Sequence, residues 1–398
     1  MTTRSYRPSH YRRSVAEIDL RQIDRNFRAF VGLYPEGTFI CPMVKANAYG
    51  HGDVEVAKAL RGAGAKFLGV ALVEEGEKLR HSGDRDPILI FGPVDSGSSE
   101  TILRENLTAV ISNWDQLQSL ELAHATEGSS VVRIHLEFNT GMNRLGFEPE
   151  EARKLRSYLN EHREFRLEGL CTHLLSGNDA GEASGESEIQ LSRLVQIIEA
   201  FKDIPDVIVH ALNSSAAVNI WKRKIENKDL GAASGKILGL RPGIGLYGAQ
   251  PANDEEASIG LQPVMSLKTH VISIHQVQAG EKVSYGPVWT AKKESTIAAV
   301  PFGYADGYRR SLTNKAQVLF RGERAPVAGT VCMDYFMVDL TAIVEKTGKP
   351  VVIGEEIVLM GQQGKESITA QELADLAGTI SYEIFTGISE RVARVFLR

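Results

Sequence analysis

The stretch FICPMVKANAYGHG, residues 39–52, begins as a buried strand and then changes character. Apolar residues lead to Met43 and Val44, and Lys45 stands where the strand should end. Small residues, a tyrosine and two glycines follow, so the backbone of this loop can come very close to a ligand. A lysine in this position is either a solvated rim charge or an amine held for chemistry.

Seven more short apolar runs follow this strand, and they begin near residues 67, 87, 107, 131, 167, 207 and 238. Helical patterns with apolar residues near i, i+3 and i+4 lie between many of them, as in VEVAKALRGAG and IQLSRLVQIIEAF. Strands that alternate with helices predict an α/β fold with a parallel sheet. Eight strands is the number that closes a (β/α)8 TIM-type barrel.

The pattern of the sequence changes after about residue 255, where short strand-like runs broken by Gly and Pro replace the alternation of strands and helices. We therefore predict a barrel in residues 15–255 and a mostly β C-terminal domain in residues 256–398. An alternative for residues 1–20 is that they pack with the second domain.

Bulk properties exclude several classes of protein. Hydrophobic residues make up 43% and charged residues 24%, and the net charge of −5 gives no basic footprint for nucleic acid or a membrane surface. No apolar run approaches the roughly 20 residues of a transmembrane helix, and the basic N-terminal segment lacks the apolar core of a secretory signal. The cysteines Cys41, Cys171 and Cys332 are scattered, and no CxxC or HxxxH cluster occurs. These features predict a cytoplasmic protein without disulfides or a metal site.

In a β/α barrel the chemistry lies at the carboxyl ends of the strands. The first strand ends at Lys45 and Tyr49, and later strands end at Glu137, Asn139, Thr140, Arg144, Thr172, His173, His210, Asn213, Ser214, Ser215, Arg241, Gly243 and Gly245. NSSA (213–216) opens a helix and RPGIG (241–245) brings a glycine-rich backbone to the usual phosphate position of barrels. A phosphate site and an amine nucleophile in one barrel suggest pyridoxal phosphate, although Schiff-base aldolases share both features.

With these residues the chain resembles the alanine racemases, fold-type III pyridoxal-phosphate enzymes. MVKANAYGHG is similar to the cofactor-lysine motif of that family, and other motifs follow in the family's order: NTGMNRLGF, LEGLCTHL, HALNSSAA, RPGIGLYG, VSYGPVWTA, GYADGYRR and VCMDYFMVDL. The resemblance covers nearly the whole chain. It implies racemisation of L- and D-alanine, with D-alanine supplied to peptidoglycan.

The resemblance also implies two catalytic bases. Lys45 would hold the cofactor as a Schiff base and exchange the α-proton on one face of the substrate. Tyr285, in VSYG, would act on the opposite face and would reach in from the second domain of a partner subunit. Inversion needs one base to remove a proton while the other supplies one. The implied assembly is a homodimer whose active sites are shared between subunits.

Further site residues are carried over from the family in the same way. Arg241 would contact the pyridine nitrogen with His173 beside it. Arg144 would meet the cofactor's phenolic oxygen and the substrate carboxylate, the Met333 amide would also meet that carboxylate, and Tyr304 would narrow the entrance. The remaining cofactor-binding residues, mostly around the phosphate, would be Tyr49, Asn213, Ser214, Gly243, Ile244 and Tyr382.

Three positions depart from the pattern of the family. Glu137 stands where many members carry a carbamylated lysine, and its carboxylate retains the negative charge that orients the arginine. Asn139 replaces a common aspartate, and Thr330 replaces an arginine of the entrance. These changes leave open a racemase of serine or another small amino acid. A decarboxylase on the same barrel and a non-catalytic cofactor-binding barrel are weaker alternatives, since VSYG favours racemisation and the latter class has no β-rich second domain.

Overall fold

The computed structural model describes residues 12–127, 131–177, 185–222, 238–249 and 259–398. The chain divides into two compact units. One contains Arg21–Gln262, and the other contains the described residues up to Leu20 together with Pro263–Arg398. The predicted boundary near residue 255 lies outside the described residues.

The first unit contains a parallel sheet of short strands, most of which are buried on both faces. Burial on both faces explains why these strands read as continuous apolar runs rather than alternating ones. Its strands, hydrogen-bonded in chain order, are β2 (Leu68–Val70), β3 (Ile88–Ile90), β4 (Thr108–Ile111), β5 (Val132–Glu137), β6 (Phe165–Cys171), β7 (Ile208–Leu212) and β8 (Leu238–Leu240).

Helices alternate with these strands, as the amphipathic patterns predict. They are α1 (Leu20–Val31), α2 (Asp53–Gly62), α3 (Val73–His81), α4 (Ser96–Arg104), α5 (Trp114–Glu127), α6 (Ala152–Glu161), α7 (Glu186–Glu199) and α8 (Ser214–Lys222). The alternation of parallel strands and helices confirms the predicted α/β barrel architecture.

Residues 39–44, the closing segment, join the two edges of this sheet. On one side the Cys41 N–H donates to the Leu240 carbonyl over 2.9 Å. On the other side the Val44 N–H donates to the Gly69 carbonyl over 2.8 Å. The closing segment therefore lies between β8 and β2, and it ends directly before Lys45.

The second unit is mostly β, as predicted. Its larger sheet runs β13-β12-β15-β9-β1-β17, with β16 paired to β15, and its smaller sheet runs β10-β11-β14. The strands are β1 (Val15–Asp19), β9 (Met265–His270), β10 (Ser273–Val277), β11 (Ser295–Val300), β12 (Gln317–Phe320), β13 (Glu323–Pro326), β14 (Phe336–Asp339), β15 (Glu356–Gln363), β16 (Glu366–Ile368) and β17 (Ala393–Leu397). Its helices are α9 (Thr341–Thr347), α10 (Ala370–Ala377) and α11 (Ser381–Thr386).

Strand β1 pairs with β17 in parallel and with β9 in antiparallel orientation, so it lies in this sheet and not in the barrel. The burial of β9 alternates residue by residue, as expected for a strand with one face toward a core. Among the described residues, no helix has the length and apolar character needed to cross a membrane.

Candidate active site

A turn of left-handed helix follows Lys45. The φ angles of residues 46–49, the left-handed turn, lie between 52° and 54°. L-amino acids avoid this conformation, which costs roughly 1–2 kcal/mol per residue because the Cβ atom approaches the following carbonyl. Hydrogen bonds of 2.9 Å from the Ala48 N–H to the Val44 carbonyl and from the Gly50 N–H to the Ala46 carbonyl support the turn.

Lys45 is partly buried beside this turn. Burial is the main cause that lowers the pKa of its amine. The positive charges of Arg144 and Arg241 lower that pKa further, while the carboxylate of Glu75 raises it. The amine is therefore neutral over a wider pH range than a surface lysine, and a neutral amine is the form that acts as nucleophile or base.

The carboxyl ends of β7 and β8 form an anion cradle, made of Ser214, Gly243, the Tyr49 hydroxyl and the first turn of α8. The Ser214 hydroxyl accepts hydrogen bonds from the backbone N–H groups of Gly243 at 2.9 Å and Gly245 at 3.3 Å. A Cβ atom at Gly243 would lie 2.5 Å from the Tyr49 hydroxyl oxygen, so only glycine fits here. Hydroxyls, amides and a helix N-terminus are a donor set that suits a phosphate group.

Two more predicted cofactor residues lie next to the anion cradle in sequence. The Asn213 side-chain oxygen accepts the Ala216 N–H at 3.0 Å and so caps the start of α8. Ile244 is buried and begins a short 3₁₀ turn, Ile244–Tyr247. The hydroxyl of Tyr247 donates to the Met43 carbonyl over 2.8 Å, which ties this turn to the closing segment.

Arg241 is buried, and both terminal nitrogens of its guanidinium make hydrogen bonds. It donates to the Thr172 carbonyl over 2.8 Å, to the His210 carbonyl over 2.9 Å and to the His210 Nδ1 over 2.7 Å. Its Nη2 also lies 3.3 Å from the His173 Nδ1. Beyond His210, the Nε2 of that ring lies 2.8 Å from the His135 Nδ1. The three histidines His135, His210 and His173, named here the imidazole chain, thus connect through Arg241.

The members of the imidazole chain stay neutral. Burial, and then the charge of Arg241, lower the pKa of His135 and of His173 to about 3. The same causes hold the pKa of His210 well below its usual range. Arg241 therefore keeps its positive charge among neutral rings, because a guanidinium is not deprotonated in proteins.

Strand β5 ends at Glu137, whose side chain borders a small cleft with Arg144, Thr172 and His173. Burial raises the pKa of the Glu137 carboxyl, while the charges of Arg241 and Arg144 act in the opposite direction. The loop that carries Arg144 closes where the Phe147 N–H donates to the Glu137 carbonyl over 2.9 Å. An acidic side chain and a basic one therefore line the same cleft.

Tyr285 lies on a loop of the second unit and is 75% exposed. The hydroxyl of Thr330 donates to the Tyr285 carbonyl over 2.7 Å. The preceding residue, Ser284, adopts a positive φ of 69°, and its hydroxyl donates to the Thr330 carbonyl over 2.8 Å. Thr330 therefore fixes the backbone that presents the Tyr285 ring to solvent.

The other predicted residues of the second unit are also exposed in part. Tyr304 is 42% exposed and Met333 is 52% exposed. Their loops are joined because the Tyr304 N–H donates to the Cys332 carbonyl and the Ala305 N–H donates to the Met333 carbonyl, both over 3.0 Å. Tyr382 lies on α11 and is 41% exposed.

In the barrel unit the structure brings together Tyr49 with Gly243 and Ser214, and Arg241 with His173. His210 is expected at a strand end, but the sequence indicates no role for it. Its position in β7 is the feature that places it near Arg241. Glu75 is not among the predicted site residues, and its signal is its place in the first turn of α3.

Comparison with known proteins identifies similar sequences and structures over nearly the whole chain. The model of the alanine racemase N-terminal domain matches residues 18–251, and that of the C-terminal domain matches residues 264–396. The alanine racemase of Geobacter sulfurreducens is 39% identical over 390 residues, which cover 97% of each chain. The structure of alanine racemase from E. faecalis has a TM-score of 0.85 and 32% identity, and the match covers 97% of this chain and 99% of that one. Alanine racemase from Bacillus anthracis with bound L-Ala-P has a TM-score of 0.83 and 32% identity, covering 98% and 96%.

Proposed function

This chain belongs to the alanine racemase family, enzymes that use pyridoxal phosphate, and its reaction is the racemisation of alanine; from this premise we propose that Lys45 and Tyr285 are its two bases. The observation that carries the proposal is that Lys45, whose pKa is lowered, lies at the same end of the barrel as the anion cradle. Such a pairing suits a phosphorylated carbonyl cofactor.

When bound, the cofactor withdraws electrons and so acidifies the α C–H bond of the amino acid. Lys45 would hold it through the side-chain amine. Once released from the cofactor, that amine would take or give the α-proton at its Nζ atom. The lowered pKa supports this role, because it increases the share of the amine that is neutral and able to accept a proton.

The anion cradle would hold the cofactor phosphate. Tyr49 and Ser214 would offer hydroxyls and Ile244 a backbone amide. Gly243 would orient the Ser214 hydroxyl through its own N–H, and Asn213 fixes the start of the helix behind them. The absence of a side chain at Gly243 supports this role, since a Cβ atom would occupy the space beside the Tyr49 hydroxyl. The resemblance adds the hydroxyl of Tyr382.

Arg241 would face the pyridine nitrogen, with His173 beside it. Its bonds to two carbonyls and two imidazoles leave the guanidinium little freedom, so its charge is held in place before the ligand arrives. A charged guanidinium does not surrender a proton to the ring nitrogen. Arg241 would therefore leave the ring nitrogen unprotonated and moderate the electron withdrawal that the cofactor supplies, which limits side reactions.

Arg144 and the Met333 amide would hold the substrate carboxylate, and Tyr304 would narrow the entrance. Glu137 borders the same cleft as Arg144, so its carboxylate would orient the guanidinium from behind. This assignment gives the buried carboxyl a partner of opposite charge.

Tyr285 would act on the opposite face of the substrate in a second copy of the chain. Its ring is 75% exposed while the backbone beneath it is fixed by Thr330, a combination that suits a side chain delivered into another subunit. We therefore propose a homodimer in which each subunit lends Tyr285 to its partner.

The test uses cofactor-loaded enzyme and L-alanine in deuterated water, with optical activity and α-proton loss followed together. Loss of both in step is expected for two bases, and Tyr285→Phe should lower kcat/KM for L-alanine and D-alanine alike, because each direction uses both bases. Proton exchange with retained optical activity would contradict the proposal, because Lys45 would then act alone. Thr347→Val, at an exposed position of helix α9, serves as a hydroxyl deletion away from the Tyr285 loop.

A further inference from the structure

The two carboxylate oxygens of Glu75 have separate partners. Glu75 lies in the first turn of α3, and its Oε2 accepts the N–H groups of Ala71 at 2.9 Å and Leu72 at 3.0 Å. These bonds cap the helix. Its Oε1 accepts the N–H of Ala46 at 2.5 Å, from a segment 29 residues earlier in the chain. Capping the helix does not require this second contact.

We propose that Glu75 is a positioning residue for Lys45. Its hydrogen bond to the left-handed turn holds the backbone beside the lysine, and its negative charge acts on the lysine amine. The inference rests on the proposed role of Lys45 as cofactor lysine and base, and it adds to that role a residue outside the family motif of the lysine.

Two hydrogen bonds bracket Lys45. Before it, the Val44 N–H donates to the Gly69 carbonyl over 2.8 Å, and after it the Ala46 N–H donates to Glu75. Gly69 lies in β2 and Glu75 lies in α3, the helix that follows β2. Both bonds therefore tie the lysine backbone to one continuous piece of the barrel wall, and this fixes the direction in which its side chain leaves the chain.

The left-handed turn needs such a bond. Each of its four residues bears the steric cost of a positive φ angle. Ala46 is the first of them, and the hydrogen bonds within the turn engage the N–H groups of later residues. A charged acceptor forms a stronger hydrogen bond than a neutral one. Without it, a strained segment would lose the contact at its first amide and could relax toward ordinary φ angles.

The charge of Glu75 has an effect of its own. Lys45 faces Arg144 and Arg241, which lower the pKa of the amine, and Glu75, which raises it. Removing the carboxylate should therefore lower that pKa further, whereas shortening the side chain should leave the charge in place. Geometry and charge can thus be separated by two substitutions at one position.

The experiment compares the cofactor-loaded enzyme with Glu75→Asp, Glu75→Gln and the control Glu74→Gln. Aspartate keeps the charge but cannot reach both segments, and glutamine keeps the reach but loses the charge. Glu74 is exposed in the same helical turn, so its substitution repeats the loss of charge without the contact. The readouts are amide hydrogen exchange of residues 46–50, kcat, KM and the pH profile of kcat, which reports groups of the enzyme–substrate complex, where the Lys45 amine would be free.

Both Glu75 variants should exchange the Ala46 amide about tenfold faster and lose roughly 10- to 100-fold in kcat, with little change in KM. The acidic limb of the profile should move to lower pH in Glu75→Gln alone. Exchange and kcat like those of Glu74→Gln would overturn the proposal, and so would an unmoved limb. A parallel Lys45→Ala variant distinguishes failure of the proposed role of Lys45 from failure of the present inference. If it still racemises alanine, the role of Lys45 is wrong; if it is inactive while the Glu75 variants match the control, only the present inference fails.

Discussion

Replacing Ala46 by glycine should stabilise the protein, although the same change in a right-handed helix destabilises it. Ala46 is exposed and has φ of 52° and ψ of 51°. Glycine removes the cost of this conformation, about 1–2 kcal/mol, because it has no Cβ atom. The glycine also gives the unfolded chain more freedom, which costs about 0.4–1 kcal/mol. The expected net gain in the free energy of unfolding is about 0.7 kcal/mol.

The matched control is Ala59→Gly, in the right-handed helix α2. It should lower the free energy of unfolding by about 1 kcal/mol, so the two variants should differ in sign. The assay is urea unfolding without cofactor, since bound cofactor would add its own stabilisation. The slope of the unfolding free energy against urea concentration should be equal in all the proteins. An Ala46→Gly variant as unstable as Ala59→Gly would refute the assignment of a strained left-handed turn.

Other predictions concern the anion cradle, the entrance and the barrel interior. Ser214→Ala should raise the dissociation constant of the cofactor roughly tenfold, measured by titration of the apoenzyme, because one hydroxyl near a charged group is lost. Thr330→Val should lower kcat/KM roughly fivefold for both enantiomers, since the bond to the Tyr285 carbonyl is worth about 1 kcal/mol; an unchanged kcat/KM would contradict this. Glu137→Gln should lower kcat/KM about tenfold while the folded protein remains stable to urea, because the anion behind the substrate arginine is removed and a buried charge disappears with it. The imidazole chain should make stability depend on pH. The folded-state pKa is about 3 for His135 and His173 and is well below the ordinary range for His210, so the unfolded chain binds more protons below the ordinary imidazole pKa of 6.5, and stability is lost as the pH falls from there. His135→Gln should reduce the proton uptake on unfolding at pH 5 by about one proton, measured from the slope of the unfolding free energy against pH.

Much of the barrel followed from local patterns. Apolar runs of strand length recur with helices between them, and the run at residues 39–44 ends where Lys45 begins, as the structure has it. The start of α8 could also be predicted, because Asn213 and Ser214 are residues that cap helices.

The left-handed turn could not be predicted in the same way. KANAY contains no glycine, and its residues favour an ordinary helix or loop, so nothing local indicates positive φ angles. The conformation depends on partners far along the chain, above all Glu75. The contact of His210 with Arg241 and the bond from Thr330 to Tyr285 are of the same kind, since each joins side chains to partners more than thirty residues away.

The closing segment has a consequence for how the protein is made. It pairs Ile40 with Leu240, residues about two hundred positions apart, so this seam has a high cost in chain entropy and should form late in folding. During synthesis the closing segment has no partner on its β8 side until β8 has left the ribosome. Lys45 borders that seam, and the lysine therefore reaches its final place only when the barrel is complete. The ability to capture the cofactor would then mark the finished fold, and a partly made barrel would not sequester it.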